Sequence, residues 1–258
     1  MSVTIKRLLG VAIGGFLAAA STSSCVDNNA SLVIFGMLTP PQSTGTGGSA
    51  ICLYTPNIIG PFLSFGTMDV AFSEEYVPTL LLGNQLLALG NASTGRIETD
   101  NIIIQGAIVR VTDASGATLD NYTAPGDGFV LPSSGGTPGL TTYAATLVSP
   151  KAADAVRQSF GGTFGGTKRL ISFIKVFGTT TGGTHIESGE VGIPVNACNG
   201  CLVVFPSGSD DLAQTTQPNC ASQVASGGST STPCIFGQDQ YIDCRLCQGN
   251  LACDPKRP

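Results

Sequence analysis

The chain has 258 residues, 42% hydrophobic and only 11% charged, and its 17 acidic side chains outweigh 12 basic ones for a net charge of −5. Nothing in it forms the basic stripe that a phosphate backbone needs, which argues against a nucleic-acid partner. The apolar fraction is too high for a disordered stalk and is enough to build a core.

The first element is a leader. Lys6 and Arg7 form a positive start, Leu8 to Ala20 an apolar run, and Ser21-Thr22-Ser23-Ser24 a stretch of small residues before Cys25. This is the layout of an exported bacterial lipoprotein, whose leader is removed and whose new N-terminal cysteine carries lipid. The apolar run is too short for a bilayer core, which takes roughly 20 helical residues. A cut after Ala18-Ala19-Ala20 by an ordinary signal peptidase competes with a cut between Ser24 and Cys25. The second site departs from the usual lipobox, with Thr22 at −3 and Ser24 at −1, yet both positions stay small. Lipidation at Cys25 is the favoured expectation, and several acyl chains make a stable anchor. By likeness to enteric lipoproteins, Val26 in place of Asp implies sorting to an outer membrane. Without the leader the net charge is about −7.

Residues 25–49 read as the lipidated N-terminus followed by a tether or loop. They hold one short apolar run, Leu32 to Phe35, and then the Pro/Ser/Thr/Gly stretch from Pro40 to Ser49. Residues 50–206 read as strands separated by turn signals. The candidates are Ala50–Tyr54, Met68–Phe72, Thr79–Leu89, Ile102–Thr112, Ala117–Tyr122, Leu140–Val148, Arg169–Phe177, His185–Val195 and Leu202–Phe205. Ile102 to Val111 is rich in β-branched residues and suits a central strand. Asp113 to Gly116 reads as a hairpin turn, and Thr179 to Gly183 as another. Ser149-Pro150 opens one helix of about ten residues that Gly161 stops, a crossover between strands. The pattern predicts an all-β fold, an immunoglobulin-like sandwich with one short crossover helix. The buried Trp and inter-sheet disulfide of antibody domains are missing, so the likeness is to architecture.

Past Pro206 the chain cannot pack a core without cross-links, and residues 207–258 read as a disulfide-stapled appendage. The cysteines are Cys25, Cys52, Cys198, Cys201, Cys220, Cys234, Cys244, Cys247 and Cys253. An oxidising compartment makes pairing the default. If Cys25 is lipidated and every other thiol is oxidised, parity sends Cys52 to a tail cysteine, closing a loop worth roughly 4–5 kcal/mol in the chain-entropy model. If Cys25 is not lipidated, Cys25–Cys52 becomes the natural pair and one tail thiol is left over.

Catalytic motifs fail on context. Two CxxC pairs, Cys198/Cys201 and Cys244/Cys247, have the ligand spacing of a zinc site, but they lie far apart with no His nearby. Thioredoxin-like chemistry needs its CxxC at a helix N-terminus, and Cys198 ends a strand-like run. Gly45 to Ala50 matches GxGxxA without a preceding strand. Gly161 to Lys168 lacks the Gly-Lys-Ser/Thr of a P-loop. The single histidine, His185, has no GxSxG serine to serve. Asp210-Asp211 could attract calcium but lacks the EF-hand pattern. Three N-glycosylation sequons, at Asn29, Asn91 and Asn121, are coincidental behind a bacterial leader. No catalytic residue, metal or cofactor is expected.

The run Val195 to Val203 with its CxxC, the segment Gly237 to Cys244 and the Cys25 leader together resemble uncharacterised Cys-rich lipoproteins of myxobacterial-type genomes. That resemblance implies location, at the outer membrane or cell surface, and no reaction. The expectation is a lipid-anchored, non-catalytic structural or interaction protein of the cell envelope, with the membrane as its one named partner. A small-ligand carrier and an envelope thiol–disulfide enzyme using a CxxC pair stand as alternatives.

Overall fold

A computed structural model describes residues 31–41, 52–205, 220 and 232–254. The leader, Cys25, residues 45–50 and Asp210-Asp211 lie outside the described residues.

Two mainly antiparallel sheets pack over one core, and the one α-helix among the described residues crosses between them. The smaller sheet holds β1 (Leu32–Leu38), β2 (Phe62–Leu63), β4 (Thr79–Asn84) and β7 (Gly139–Ala144) in the order β2-β1-β4-β7. The larger holds β3 (Gly66–Asp69), β5 (Ile102–Asp113), β6 (Thr118–Val130), β8 (Thr167–Thr180) and β10 (Val191–Cys198) in the order β3-β10-β8-β5-β6, and β9 (His185–Glu187) adds to β8. Only the β3–β10 pair in it runs parallel. A parallel pair of two-residue strands, β11 (Val203–Val204) and β12 (Ile242–Asp243), joins the tail to the end of the sandwich strands.

The strands follow their period of two. In β8, Leu170, Ser172, Ile174, Val176, Gly178 and Thr180 face inward and are buried, while the residues alternating with them are half-exposed. β5 keeps its inner face apolar through a bulge. The register against both neighbours slips between Ile104 and Gly106, after which Ala107, Val109 and Val111 continue inward. Each fully buried aliphatic side chain of this kind contributes about 1.5–3 kcal/mol.

The helix, α1 (Pro150–Ser159), joins β7 of one sheet to β8 of the other. The Ser149 hydroxyl accepts from the Ala152 amide at 3.2 Å, Pro150 stands where no intrahelical N–H is needed, and Ala152, Ala153 and Val156 form the buried face. Asp113 shapes the β5–β6 turn by accepting from the Ser115 and Ala117 amides.

Several boundaries differ from the sequence reading, among them β3, which spans Gly66–Asp69 and not Met68–Phe72, and β7, which stops at Ala144 short of Val148. Leu32–Phe35, placed in a tether, belongs to β1 in the middle of the smaller sheet, so the sandwich begins before residue 50. A register slip between Ile34 and Gly36 breaks its alternation and makes the run look short. Residues 52–54 form no strand. The expected strand His185–Val195 divides at Ser188, whose buried hydroxyl accepts from the Val176 amide at 3.0 Å in place of a ladder bond.

Candidate functional site

The described tail is stapled by disulfides and plugs into one end of the sandwich. Cys52–Cys234 ties it to the segment before β2. Four residues on, the buried Gln238 side chain bonds two backbone groups and one hydroxyl of the segment before β4. Its Oε1 accepts from the Val77 amide at 2.9 Å, and its Nε2 donates to the Glu75 carbonyl at 2.9 Å and to the Ser73 hydroxyl at 3.1 Å.

Asp239 follows with φ 56°, a left-handed conformation that Asp tolerates better than most side chains. Its amide donates to the Thr67 carbonyl at 2.9 Å and its Oδ1 accepts from the Thr67 amide at 2.7 Å. Its Oδ2 accepts from the Tyr76 hydroxyl at 2.7 Å. Together with a Met68–Gln238 bridge, these bonds cover the free edge of β3, which ends the larger sheet. Tyr76 is fully buried under Gly66, where any Cβ would overlap its ring. Burial, then the Asp239 charge, pushes the Tyr76 phenol well above its ordinary range. Burial likewise raises the Asp239 carboxyl, against the Thr67 and Tyr76 hydrogen bonds that lower it.

Beside this joint lies the first CxxC. Cys198 ends β10, Gly200 takes φ 76° at the turn, and Cys198 and Cys201 are joined as a disulfide. Asp69, fully buried at the end of β3, holds the turn: Oδ1 accepts from the Gly200 amide at 2.7 Å and the Ala71 amide at 3.0 Å, and Oδ2 from the Leu202 amide at 3.0 Å. One carboxylate oxygen and the two sulfurs lie within 4.8 Å of one another. Cys198 sits at a strand end, so no helix dipole favours its thiolate.

The second CxxC is divided between two bridges. Cys244 bonds to Cys220 and Cys247 to Cys253. Their sulfurs and Ala252 pack with Val203, Phe72, Phe164 and Phe205 into a second small core. Asn250 docks it by donating to the Ala71 carbonyl at 3.3 Å, and Asp243 pairs with Arg245 at 2.6 Å. Four disulfides in the chain point to an oxidising, extracytoplasmic compartment.

The remaining sequence candidates are scattered. His185 is exposed on β9, 3.3 Å from Glu187, which also meets Lys175 at 3.1 Å. Glu190 pairs with Arg110 at 3.4 Å, and Glu74 and Glu75 are exposed. The run from Gly161 to Lys168 leads from α1 into the first two residues of β8; Gly165 donates to the Asn199 carbonyl and Lys168 to the Ser159 carbonyl. A groove of about 520 Å³ between α1, β8 and the β5–β6 turn, with Leu119, Val156 and Leu170 beside Lys168 and Arg169, went unread in the sequence. The Lys168-Arg169 pair after a Gly-rich loop was its only local signal.

No family model and no curated protein matches this chain. Among solved structures, a solution structure described as a late embryogenesis abundant (LEA) protein is 13% identical, covering 50% of this chain and 70% of that one, with a TM-score of 0.27. That likeness carries no argument about fold or activity.

Proposed function

We propose that this chain is a lipid-anchored protein of the bacterial cell envelope, held at the outer membrane or cell surface through Cys25, with a non-catalytic structural or interaction role. The observation that carries this reading is the cysteine pairing. Four disulfides consume all eight cysteines from Cys52 onward, and the ninth is the one that stands behind the leader. An exported chain with a single odd cysteine at that place has a use for it as a lipid acceptor. The stapled tail supports a structural or interaction role, because its polar groups are spent on holding backbone. An immunoglobulin-like architecture is supported by two layers over one core. Replacing Cys25 by Ser should move the protein from the membrane pellet to the soluble fraction of the envelope; a variant that stays in the pellet contradicts the anchor.

A second reading, thiol–disulfide exchange at Cys198 and Cys201, is favoured by the buried Asp69 carboxylate beside both sulfurs. Turnover of a disulfide substrate by the purified protein, lost in Cys198→Ser, supports it. Absence of turnover removes it.

A further inference from the structure

The end of the sandwich where the described chain begins is built from loops that expose aliphatic side chains. The Ser31 carbonyl accepts from the Gln85 amide at 2.8 Å, so the start of β1 is bonded to the loop that follows β4. That loop, residues 85–101, is tied to the loop after β6: Ser133 donates to Leu86 at 2.6 Å and Ala88 to Ser133 at 3.1 Å. It is also tied to the β8–β9 turn, with Thr181 donating to Asn101 and Gly182 to Thr99, each at 2.8 Å. Asn84 fastens the set from beneath, its Nδ2 donating to the Asp100 carbonyl at 2.8 Å. On this one end Leu87 is 66% exposed, Leu89 43%, Ile97 82% and Leu131 61%. Four aliphatic side chains held out on a braced set of loops are costly in water and suited to an apolar phase.

Chain length selects the occupant. Six residues of sequence lead from Cys25 to Ser31, a span of at most about 22 Å. The far end of β1 lies another 20 Å or so away, at about 3.3 Å per residue. Cys52, the CxxC turn and the tail joint belong to that far end: β1 meets β2 there at Leu38–Phe62, and β3 and β10 reach it at Asp69 and Cys198. We infer that the loop end docks on the bilayer carrying the Cys25 lipid, seating Leu87, Leu89, Ile97 and Leu131 at the headgroup–acyl boundary and presenting the stapled tail away from the membrane. This rests on the lipidation of Cys25. The rim carries Arg96, Glu98 and Asp100 and, among the described residues, no basic cluster, so the contact is apolar and insensitive to salt.

The chain has no tryptophan, so an introduced one reports alone. Full-length lipidated protein carrying Leu131→Trp, Ile97→Trp or, at the far end, Ile59→Trp is reconstituted into phosphatidylethanolamine/phosphatidylglycerol vesicles with and without brominated acyl chains. Flotation is scored in the same samples, with Cys25→Ser beside them. The loop tryptophans should float with the vesicles, shift to the blue and be quenched roughly twofold or more, as for a ring at the acyl boundary. The Ile59→Trp probe should stay water-exposed and unquenched. Floating protein whose loop probes stay unquenched overturns the docking and leaves the anchor standing. A blue shift without quenching, a sign of burial against protein, overturns it too. Protein that does not float, or floats equally with Cys25→Ser, overturns the anchor and the docking with it, and is told apart by the flotation alone.

Discussion

At the scale of single residues, two buried groups are held on terms that predict how they respond to change. Tyr143, on β7, has its hydroxyl buried with no hydrogen-bond partner among the described residues, and burial raises its phenol. A desolvated hydroxyl left unmatched costs about 1–3 kcal/mol. Tyr143→Phe should therefore keep the fold and raise the thermal midpoint; a lowered midpoint would mean that the hydroxyl is bonded in solution. Asp239 is the second case. Its carboxyl is raised by burial, so the native state holds its proton more tightly than the unfolded chain does. Its contribution is full below the unfolded carboxylate range and is lost as pH rises through the folded value. Glu98, Asp113, Asp120, Glu187 and Asp243 are lowered by hydrogen bonds and act in the opposite sense, losing their contribution as pH falls. A comparison against Asp239→Asn isolates the one group. The stability of the wild type relative to that variant should rise from pH 7 to pH 4 in thermal melts, and a relative fall contradicts the buried-carboxylate account.

At the scale of elements, local chemistry was legible where it is dense. The β-branched run of β5, the Asp113 and Thr179 turns and the Ser149-Pro150 start of α1 each announce themselves within a few residues, and the elements lie there. β6 runs through Pro125 to Val130, further than its composition suggested. It is an edge strand, where a missing N–H costs no ladder bond. β4 stops at Asn84, short of the expected Leu89, because the Asn84 side chain turns the chain by accepting from Leu86 at 2.9 Å. The joint was invisible in sequence for another reason. Gln238 and Asp239 find Val77, Tyr76 and Thr67 across more than 160 residues, and nothing local marks such partners. Parity implied that Cys52 would bond to a tail cysteine if Cys25 is lipidated; only the fold names Cys234. Replacing Cys52 and Cys234 together by Ala should lower stability by about 2–5 kcal/mol. It should also speed hydrogen exchange at the Thr67 and Val77 amides, which the tail covers; unchanged protection there would mean that the tail docks without its staple.

For the whole molecule, the two ends differ in kind. One gathers the start of β1 and the aliphatic loops, the other the disulfides, the Asp69 turn and the Asp239 joint. The central claim, anchoring through Cys25 with every other cysteine oxidised, is tested most directly by one measurement. The intact mass of protein extracted from native membranes is taken after thiol alkylation, with and without prior reduction. The account predicts a lipid adduct on Cys25 and eight alkylated thiols that appear only after reduction. An unlipidated chain, or thiols free before reduction, contradicts it.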